Sequence, residues 1–324
     1  MTRGTTGTGT TPFLTSTLGV LLGCLACCAL WGSAFPCIKI GYTLFSVGST
    51  DTASQMLFAG TRFTLSGVMV ILGTSAATRR PLLPSRHDWP AILVLALFQT
   101  FLQYFFFYQG LSKASGVTSS IIEGSANFIA ILFAALLFRS ERLTGRKVLG
   151  CVLGFAGVVL INLTSGGFNP AMRLDGEGFI LISTCAGAMS TCLIQRFSRS
   201  HNPVLLAGWQ FLVGGLVLTA TGLSGGGHLE PTGAGAWALL AYMGFISAAA
   251  YSLWSLLLRV NPVSRVSVFG FMNPVFGVIL SAILLAEGAV IEPWRAVAAL
   301  ALISVGIVIV NRAPAEKVAQ NAEP

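Results

Sequence analysis

The fold is decided by two stretches of nine residues, AGTRFTLSG at residues 59–67 and AGWQFLVGG at residues 207–215. Both lie inside apolar runs, and both begin with Ala-Gly, carry phenylalanine in fifth place and end in glycine. The offset of about 147 residues between the two halves is close to half of the 324-residue chain. Matching stretches at this interval indicate that the chain contains two copies of one structural unit.

Two further pairs of stretches follow in the same order. Asn127 aligns with Asn273, and the apolar runs that contain them end in LLFRSE, at Glu141, and in AILLAE, at Glu287. GFAGVVLIN at 154–162 is matched by LISVGIVIVN at 302–311. Three matched pairs in one order favour a duplication over chance similarity between apolar segments.

The composition belongs to a membrane protein. The chain is 54% hydrophobic and 9% charged, whereas soluble domains carry about 25% charged residues. A helix needs about 20 apolar residues to cross a hydrocarbon core of about 30 Å. We therefore predict an all-α integral membrane fold with ten transmembrane helices, at residues 17–44, 51–74, 90–111, 116–138, 146–163, 176–198, 204–223, 236–258, 264–286 and 293–311.

Five spans in each copy make the two copies inverted repeats. Because five is an odd number, the second copy enters the membrane from the opposite side, and a pseudo-twofold axis in the membrane plane relates the two. We predict a first repeat at 17–163 and a second at 176–311. Residues 1–16 are predicted to be a disordered cytoplasmic tail, and 312–324 a cytoplasmic C-terminal tail.

The net charge of +8 reflects membrane topology. If the N-terminus is cytoplasmic, fourteen of the nineteen Lys and Arg residues fall on the cytoplasmic side and only Lys113, Arg173 and Arg295 on the other. This positive-inside bias predicts a multi-pass protein of the cell membrane, the bacterial inner membrane, with both termini cytoplasmic. It also removes the reason to expect a nucleic-acid partner.

Several of these motifs resemble a known family. WGSAFPCIK at 31–39, RF at 62–63, and the repeat ends E…GFAGVVLI and AE…GIVIV are similar to those of the drug/metabolite transporter superfamily, specifically its EamA-type exporters. The resemblance covers about residues 20–312. It implies a cavity surrounded by the first four spans of each repeat, a peripheral fifth span, and export of amino acids or related small metabolites.

Two cations and one carboxylate lie inside predicted spans. Arg62 is near the middle of its span, while Lys39 and Glu123 share a depth in the outer halves of theirs. A charge near a span centre costs about 2.5–3.5 kcal/mol on insertion scales, so such residues usually face a cavity and a partner. Three interpretations are open: a Lys39–Glu123 salt bridge that only packs helices, extension of Lys39 to the outer surface, or binding of both ends of a zwitterion. Glu123 is also the candidate for proton coupling.

Prolines mark two predicted helix breaks. Pro36 and Pro274 each lack a backbone donor and free the carbonyl four residues earlier, at Gly32 and Gly270. Such breaks in a transporter are typical of its binding site. With the deeper polar and aromatic residues, the predicted substrate-binding set is Lys39, Arg62, Gln103, Tyr108, Glu123, Asn127, Gln210, Tyr251, Trp254 and Asn273.

The sequence favours a carrier over an enzyme. The three histidines and three aspartates all lie in loops or at span ends, and no GxSxG, HExxH or Walker motif occurs. We expect no catalytic residue, metal or cofactor, and partners limited to a small-molecule substrate, the lipid bilayer and, through Glu123, protons. The leading hypothesis is a secondary active transporter that exports amino acids or related small polar metabolites by alternating access. A hydrophobic-cation or multidrug exporter is the alternative, followed by a channel or a membrane scaffold.

Overall fold

The fold is a bundle of membrane-length helices. The computed structural model describes residues 11–111, 113–114, 119, 122–162, 173–284 and 293–312, and within these residues it contains helices and no strand. Ten spans follow one another: span 1 (Thr17–Leu44), span 2 (Thr52–Thr78), span 3 (Trp89–Leu111), span 4 (Ile122–Leu137), span 5 (Gly145–Asn162), span 6 (Glu177–Phe197), span 7 (Pro203–Ser224), span 8 (Ala234–Val260), span 9 (263–284) and span 10 (Pro293–Asn311).

The predicted architecture of ten helices is confirmed. Seven of the described helices are long and apolar enough to cross a membrane, and Ile122–Leu137 and Val297–Asn311 are shorter apolar helices. Helices suit this environment because each satisfies its own backbone hydrogen bonds where no water is present. Glu287 and the predicted span limits at residues 116, 163 and 286 lie outside the described residues, as do 1–10 and 313–324 of the predicted tails.

The chain before span 1 differs from the prediction of a disordered tail. Thr11–Thr15 forms a short helix, and Ser16 then caps span 1 by accepting a hydrogen bond from the backbone of Gly19 at 3.0 Å. The carbonyl of Leu14 accepts a hydrogen bond of 2.9 Å from the side chain of Asn261, at the end of span 8. These two anchors order residues that composition alone assigned to a tail.

Spans 2 and 7, which contain the two matched stretches, pack against each other along their length. A Cβ atom added to Gly67 would lie 2.5 Å from the backbone nitrogen of Leu212, and one added to Gly215 would collide with the backbone nitrogen of Thr64. Small residues of this kind allow helix backbones in a membrane to approach closely. The glycines of the repeated motif therefore set the distance between the two repeats.

The pseudo-twofold axis runs through this contact. Phe63 and Phe211 hold the same place in the two matched stretches, and their rings stack at 5.2 Å with only 9° between the planes. Tyr104 and Tyr251, which are 147 residues apart, share a hydrogen bond of 3.4 Å between their hydroxyl groups. Residues that are equivalent in the two copies meet each other only where the symmetry axis passes between them.

The remaining contacts have the same symmetry. Span 1 packs against spans 8 and 9 of the second repeat, and its counterpart, span 6, packs against spans 3 and 4 of the first. Span 5 packs against span 10. The two repeats are thus interleaved, and the inverted arrangement predicted from the odd number of spans is confirmed.

Hydrogen bonds join neighbouring helices on the face of the bundle where residues 17 and 311 lie, which we call the terminal face. Glu141, after span 4, accepts hydrogen bonds from the backbone nitrogen of Ser264 at 2.9 Å and from its hydroxyl group. The ammonium group of Lys147 donates to the same carboxylate at 2.7 Å, and both side chains are less than one tenth exposed. Gln195 of span 6 donates to the carbonyl of Asn261 at 3.0 Å. Spans 4 and 6 are therefore tied to the junction of spans 8 and 9.

Loops between spans add a second contact on the same face. His201, before span 7, lies 2.7 Å from a carboxylate oxygen of Asp88, before span 3. Partial burial raises the pKa of Asp88, but hydrogen bonds from His201 and Ser85 outweigh it and hold the pKa below the ordinary value. A carboxyl whose pKa is lowered on folding stabilises the fold above its ordinary pKa, and this stabilisation is lost as the pH falls through the lowered value.

The glycine contact can be tested with a matched pair of variants in one helix. We expect Gly67→Val to force spans 2 and 7 apart and to destabilise the protein by about 1–3 kcal/mol, as overpacking does. Gly73→Val is the control, because a Cβ atom at Gly73 would have no atom within 4 Å. The measurement is thermal unfolding of the purified protein in detergent. Equal stability of the two variants would contradict the proposed role of the contact.

A second prediction concerns the carboxylate of Glu141. Glu141→Ala removes the carboxylate that pairs with the buried ammonium group of Lys147 and accepts two hydrogen bonds from Ser264. Breaking a buried pair in this way lowers the free energy of unfolding by about 3–5 kcal/mol. Lys147→Met should cost less, because Ser264 still satisfies the carboxylate. Arg146→Met, at an exposed neighbour, is the control. Thermal unfolding in detergent again measures the stability of each variant. A larger loss of stability in Lys147→Met than in Glu141→Ala would show that these hydrogen bonds are assigned wrongly.

Candidate substrate-binding cavity

A cavity of about 760 Å³ lies between the two repeats. Its lining comes from spans 1, 2, 3, 4, 6, 8 and 9, and none of the described residues of spans 5, 7 and 10 contributes to it. Its volume and mixed lining are those of a site for a small molecule, in which apolar walls surround a few polar groups.

The cavity begins at the middle of the bundle and extends away from the terminal face. In span 1 it is bordered by residues between Trp31 and Lys39, in the second half of the helix, and in span 9 by residues between Gly270 and Ile283. In span 4 its border includes Glu123 and Asn127, which follow the start of the described helix. Most of these lining residues therefore lie between the middle of the bundle and the face opposite to the terminal face.

Arg62 is a buried cation at the centre of this cavity. Only 4% of its surface is exposed, and its guanidinium carbon lies 4.3 Å from the ring centre of Phe63 and 5.7 Å from that of Tyr104. Within the described part of the chain it forms no ion pair, and its Nε atom is buried without a hydrogen-bond partner. Aromatic faces stabilise a guanidinium group by roughly 0.5–2 kcal/mol. A cation held mainly by rings retains the capacity to bind an anion.

Glu123 and Lys39 also border the cavity, as predicted. Of the three interpretations, a Lys39–Glu123 salt bridge is not found, because none of the ion pairs among the described residues joins these two side chains. Equal depth in the membrane could not decide between the interpretations, since depth leaves the direction of each side chain around its helix open. The cavity therefore holds a carboxylate that is separate from both of its cations.

The two predicted helix breaks have different surroundings. In span 9 a 3₁₀ turn, Val268–Phe271, precedes Pro274, and both Gly270 and Pro274 border the cavity. Asn127 of span 4 packs directly against Gly270, where a side chain would collide with it. Span 1 instead continues as one helix through Pro36, and neither Pro36 nor Gly32 borders the cavity. Gly32 packs against Phe276 of span 9, so the carbonyl that Pro36 frees lies at a helix contact and not at the border of the cavity.

An aromatic wall, made of Trp31, Tyr251 and Trp254, forms one side of the cavity. The ring of Trp31 meets those of Tyr251 and Trp254 edge-on, at 4.9 and 5.0 Å. Edge-to-face pairs of this kind hold aromatic side chains in fixed positions. Tyr251 and Trp254 were predicted to lie here from their spacing along span 8, and Asn273 borders the same cavity from span 9.

Two members of the predicted set do not border the cavity. Gln210 is fully buried between spans 7 and 3, where its carbonyl oxygen accepts a hydrogen bond of 2.7 Å from Thr100. Tyr108 is 2% exposed and packs against Met56, Ala59 and Phe63. Gln210 lies deep in the membrane, as predicted, and Tyr108 lies near the end of span 3, but close contact with neighbouring helices turns both away from the cavity.

Other polar residues border the cavity that were not predicted to do so. Gln99 belongs to a π-helical stretch of span 3, Ala96–Leu102, and span 6 contributes Ser190 and Thr191. The spacing of four residues between Gln99 and Gln103 was the only signal that could have indicated Gln99. Serine and threonine inside a span have no comparable signal, because they are common at helix contacts.

A family model matches the chain twice, once in each repeat. The EamA-like transporter family is matched over residues 17–163 and again over 175–312. The chain belongs to the EamA-like transporter family. This EamA-like protein is therefore a transporter in a lipid bilayer with a small molecule as its substrate.

Relatives and a solved structure agree with this assignment. An uncharacterized transporter of Archaeoglobus fulgidus is 30% identical over 292 residues, which cover 87% of this chain and 95% of that protein. An aromatic amino acid exporter of Ancylobacter novellus is 27% identical over 285 residues, covering 84% and 93%. A protein crystal structure with 21% identity superposes with a TM-score of 0.72 over 91% of this chain and 96% of its own. The last likeness shows the fold alone.

The symmetric fold of this EamA-like transporter carries an asymmetric set of charges. Arg62 corresponds to Gln210 in the matched stretches, and Gln210 is neutral and turned away from the cavity. In the register that aligns Asn127 with Asn273, Glu123 corresponds to Phe269. All the charged side chains among the described lining residues thus come from the first repeat.

Proposed function

We propose that this protein is a secondary active transporter that exports amino acids or related small polar metabolites by alternating access. The observation that carries the proposal is Arg62, a buried guanidinium group in a cavity of substrate size without an anionic partner among the described residues. A buried charge is costly unless it is paired. A substrate carboxylate is the natural partner, and it would be held at the centre of the bundle.

Glu123 supplies a group of opposite charge for the same substrate. A zwitterion presents a carboxylate to Arg62 and an ammonium group to Glu123, and the remaining walls accommodate its side chain. Buried charges that are left for a ligand to neutralise discriminate strongly against neutral molecules. The relative from Ancylobacter novellus, named as an exporter of aromatic amino acids, supports amino acids as the substrate class.

The positions of the cavity and of the joined face are those expected for alternating access. Fourteen basic residues against three assign the terminal face to the cytoplasm of the cell membrane, with both termini cytoplasmic. In this orientation most of the cavity lining lies in the outer half of the membrane, and the contacts of Glu141 with Ser264 and of Gln195 with Asn261 join helices on the cytoplasmic side. Inverted repeats can exchange these two roles, which would open the same site to the cytoplasm.

A hydrophobic-cation exporter is the second candidate. The aromatic wall beside Glu123 favours it, since aromatic faces attract organic cations. Two cations at the border of the cavity count against it, because like charges repel a cationic substrate. Uptake of an organic cation without uptake of any amino acid would favour this second candidate.

The role of Arg62 can be tested by transport in proteoliposomes. We expect Arg62→Met to reduce saturable counterflow of labelled amino acids at least about a hundredfold, because the buried charge that binds the carboxylate is lost. Lys39→Ala should also abolish transport while leaving folded protein in the membrane. Arg80→Met, at an exposed position beyond the end of span 2, is the control. Normal counterflow in Arg62→Met would refute the proposal.

Proton coupling is a separate prediction. If Glu123 exchanges substrate for protons, Glu123→Gln removes the titrating group while keeping the shape of the side chain. We expect this variant to lose accumulation driven by an imposed pH gradient and to keep exchange of labelled for unlabelled substrate. The two assays use the same proteoliposomes, and retained accumulation under the gradient would exclude Glu123 as the coupling residue.

A further inference from the structure

The cavity lining includes four neutral polar side chains, which we call the amide subsite: Gln99 and Gln103 of span 3, and Ser190 and Thr191 of span 6. Gln99 is 96% buried, with 4% of its surface exposed. Neither glutamine side chain hydrogen-bonds to a described residue, and neither has an orphaned atom sealed away from the cavity. Their amide groups are thus both unpartnered and accessible from the cavity.

Span 3 is built to present both amides. Gln99 lies in the π-helical stretch Ala96–Leu102, and Gln103 begins the α-helix that follows it. A π-helical segment has a wider turn than an α-helix, and such segments are frequent at functional sites. The wider turn keeps two glutamines that are four residues apart on the same side of the span.

Span 6 leaves room for these amides and adds acceptors. A Cβ atom at Gly187 would lie 3.1 Å from the amide carbon of Gln103, so the absence of a side chain there accommodates the glutamine. The hydroxyl groups of Ser190 and Thr191 donate to the carbonyl of Gly187 at 2.8 and 3.2 Å. Since each hydroxyl hydrogen is used in this way, the oxygens face a ligand as acceptors.

The amide subsite contains donors and acceptors but no charge. Each glutamine amide offers two N–H donors and one carbonyl acceptor. A site that is built to hydrogen-bond a substrate group discriminates against an analogue that lacks the group, because its own polar atoms are then left unpaired. A neutral group that both donates and accepts is therefore the best complement, and a carboxamide matches it most completely.

We propose that the amide subsite selects, among amino acids, those whose side chain is a neutral hydrogen-bonding group, with carboxamides such as glutamine preferred over apolar side chains of equal length. This inference rests on the proposed function, since it places the charged ends of the substrate at Arg62 and Glu123. The aromatic wall then packs against the substrate's methylene groups.

The experiment compares glutamine with methionine, whose side chain has a similar length and no amide. Purified full-length protein in proteoliposomes is assayed for counterflow of each labelled amino acid, and the ratio of the two kcat/KM values is measured. We expect the unaltered protein to prefer glutamine. Gln99→Met and Gln103→Met should each lower the ratio about tenfold, since each removes hydrogen bonds that only glutamine can make.

The matched control is Leu97→Met, in the same π-helical stretch but 45% exposed on the outside of the bundle. It should leave the ratio unchanged. Because the ratio compares two substrates of one variant, a loss of folded protein does not change it. A ratio that is the same in the unaltered protein, Gln99→Met and Gln103→Met would overturn the amide subsite while leaving the amino-acid transporter intact. If no amino acid is taken up above empty liposomes, the proposed function fails, and this inference fails with it.

Discussion

The structure depends on the close approach of spans 2 and 7. Glycines on both helices bring the two backbones nearly into contact, and they recur because the sequence around them is repeated. Lipid chains are as apolar as the helix surfaces, so close packing, rather than exclusion of water, holds such helices together. The contact places Phe63 against Phe211 and Tyr104 against Tyr251, and so fixes the axis about which the other eight spans are arranged.

The cavity follows from this arrangement. With spans 2 and 7 packed at the centre, spans 1 and 6 are inserted between helices of the opposite repeat, and spans 5 and 10 pair at the periphery. Span 7 is covered by spans 2 and 3 and contributes no described residue to the cavity, whereas its counterpart, span 2, contributes Arg62. The frame is nearly symmetric, but the charged side chains among the described lining residues all belong to the first repeat. Such an unequal distribution of charge suits a carrier, because a substrate with two unlike ends then binds in a single orientation.

The polar groups of the bundle have two different roles: those on the terminal face join helices to one another, and those around the cavity are available to bind a substrate. On the terminal face the carboxylate of Glu141 joins Lys147 of its own repeat to Ser264 of the other, and Gln195 donates to the carbonyl of Asn261 within the second repeat. Around the cavity, by contrast, Arg62 and the two glutamines of span 3 have no hydrogen-bond partner among the described residues. Satisfied polar groups make a membrane protein rigid, while unsatisfied ones are costly unless a ligand completes them.

The order and number of the spans, the duplication and its inversion were all predictable from the sequence, because the spans are runs of apolar residues, the duplication leaves matched stretches, and the inversion follows from the odd number of spans in each copy. Depth in the membrane was predictable for the same reason, and it placed Arg62, Glu123 and Asn273 near the cavity. The direction of a side chain around its helix was not, and this is why Gln210 and Tyr108 were assigned to the site and Gln99 was not. That direction depends on which helices become neighbours, on the π-helical stretch in span 3 and on the glycine contacts of spans 2 and 7. Only the tertiary structure decides these features, because they arise from packing between segments that are far apart in the chain.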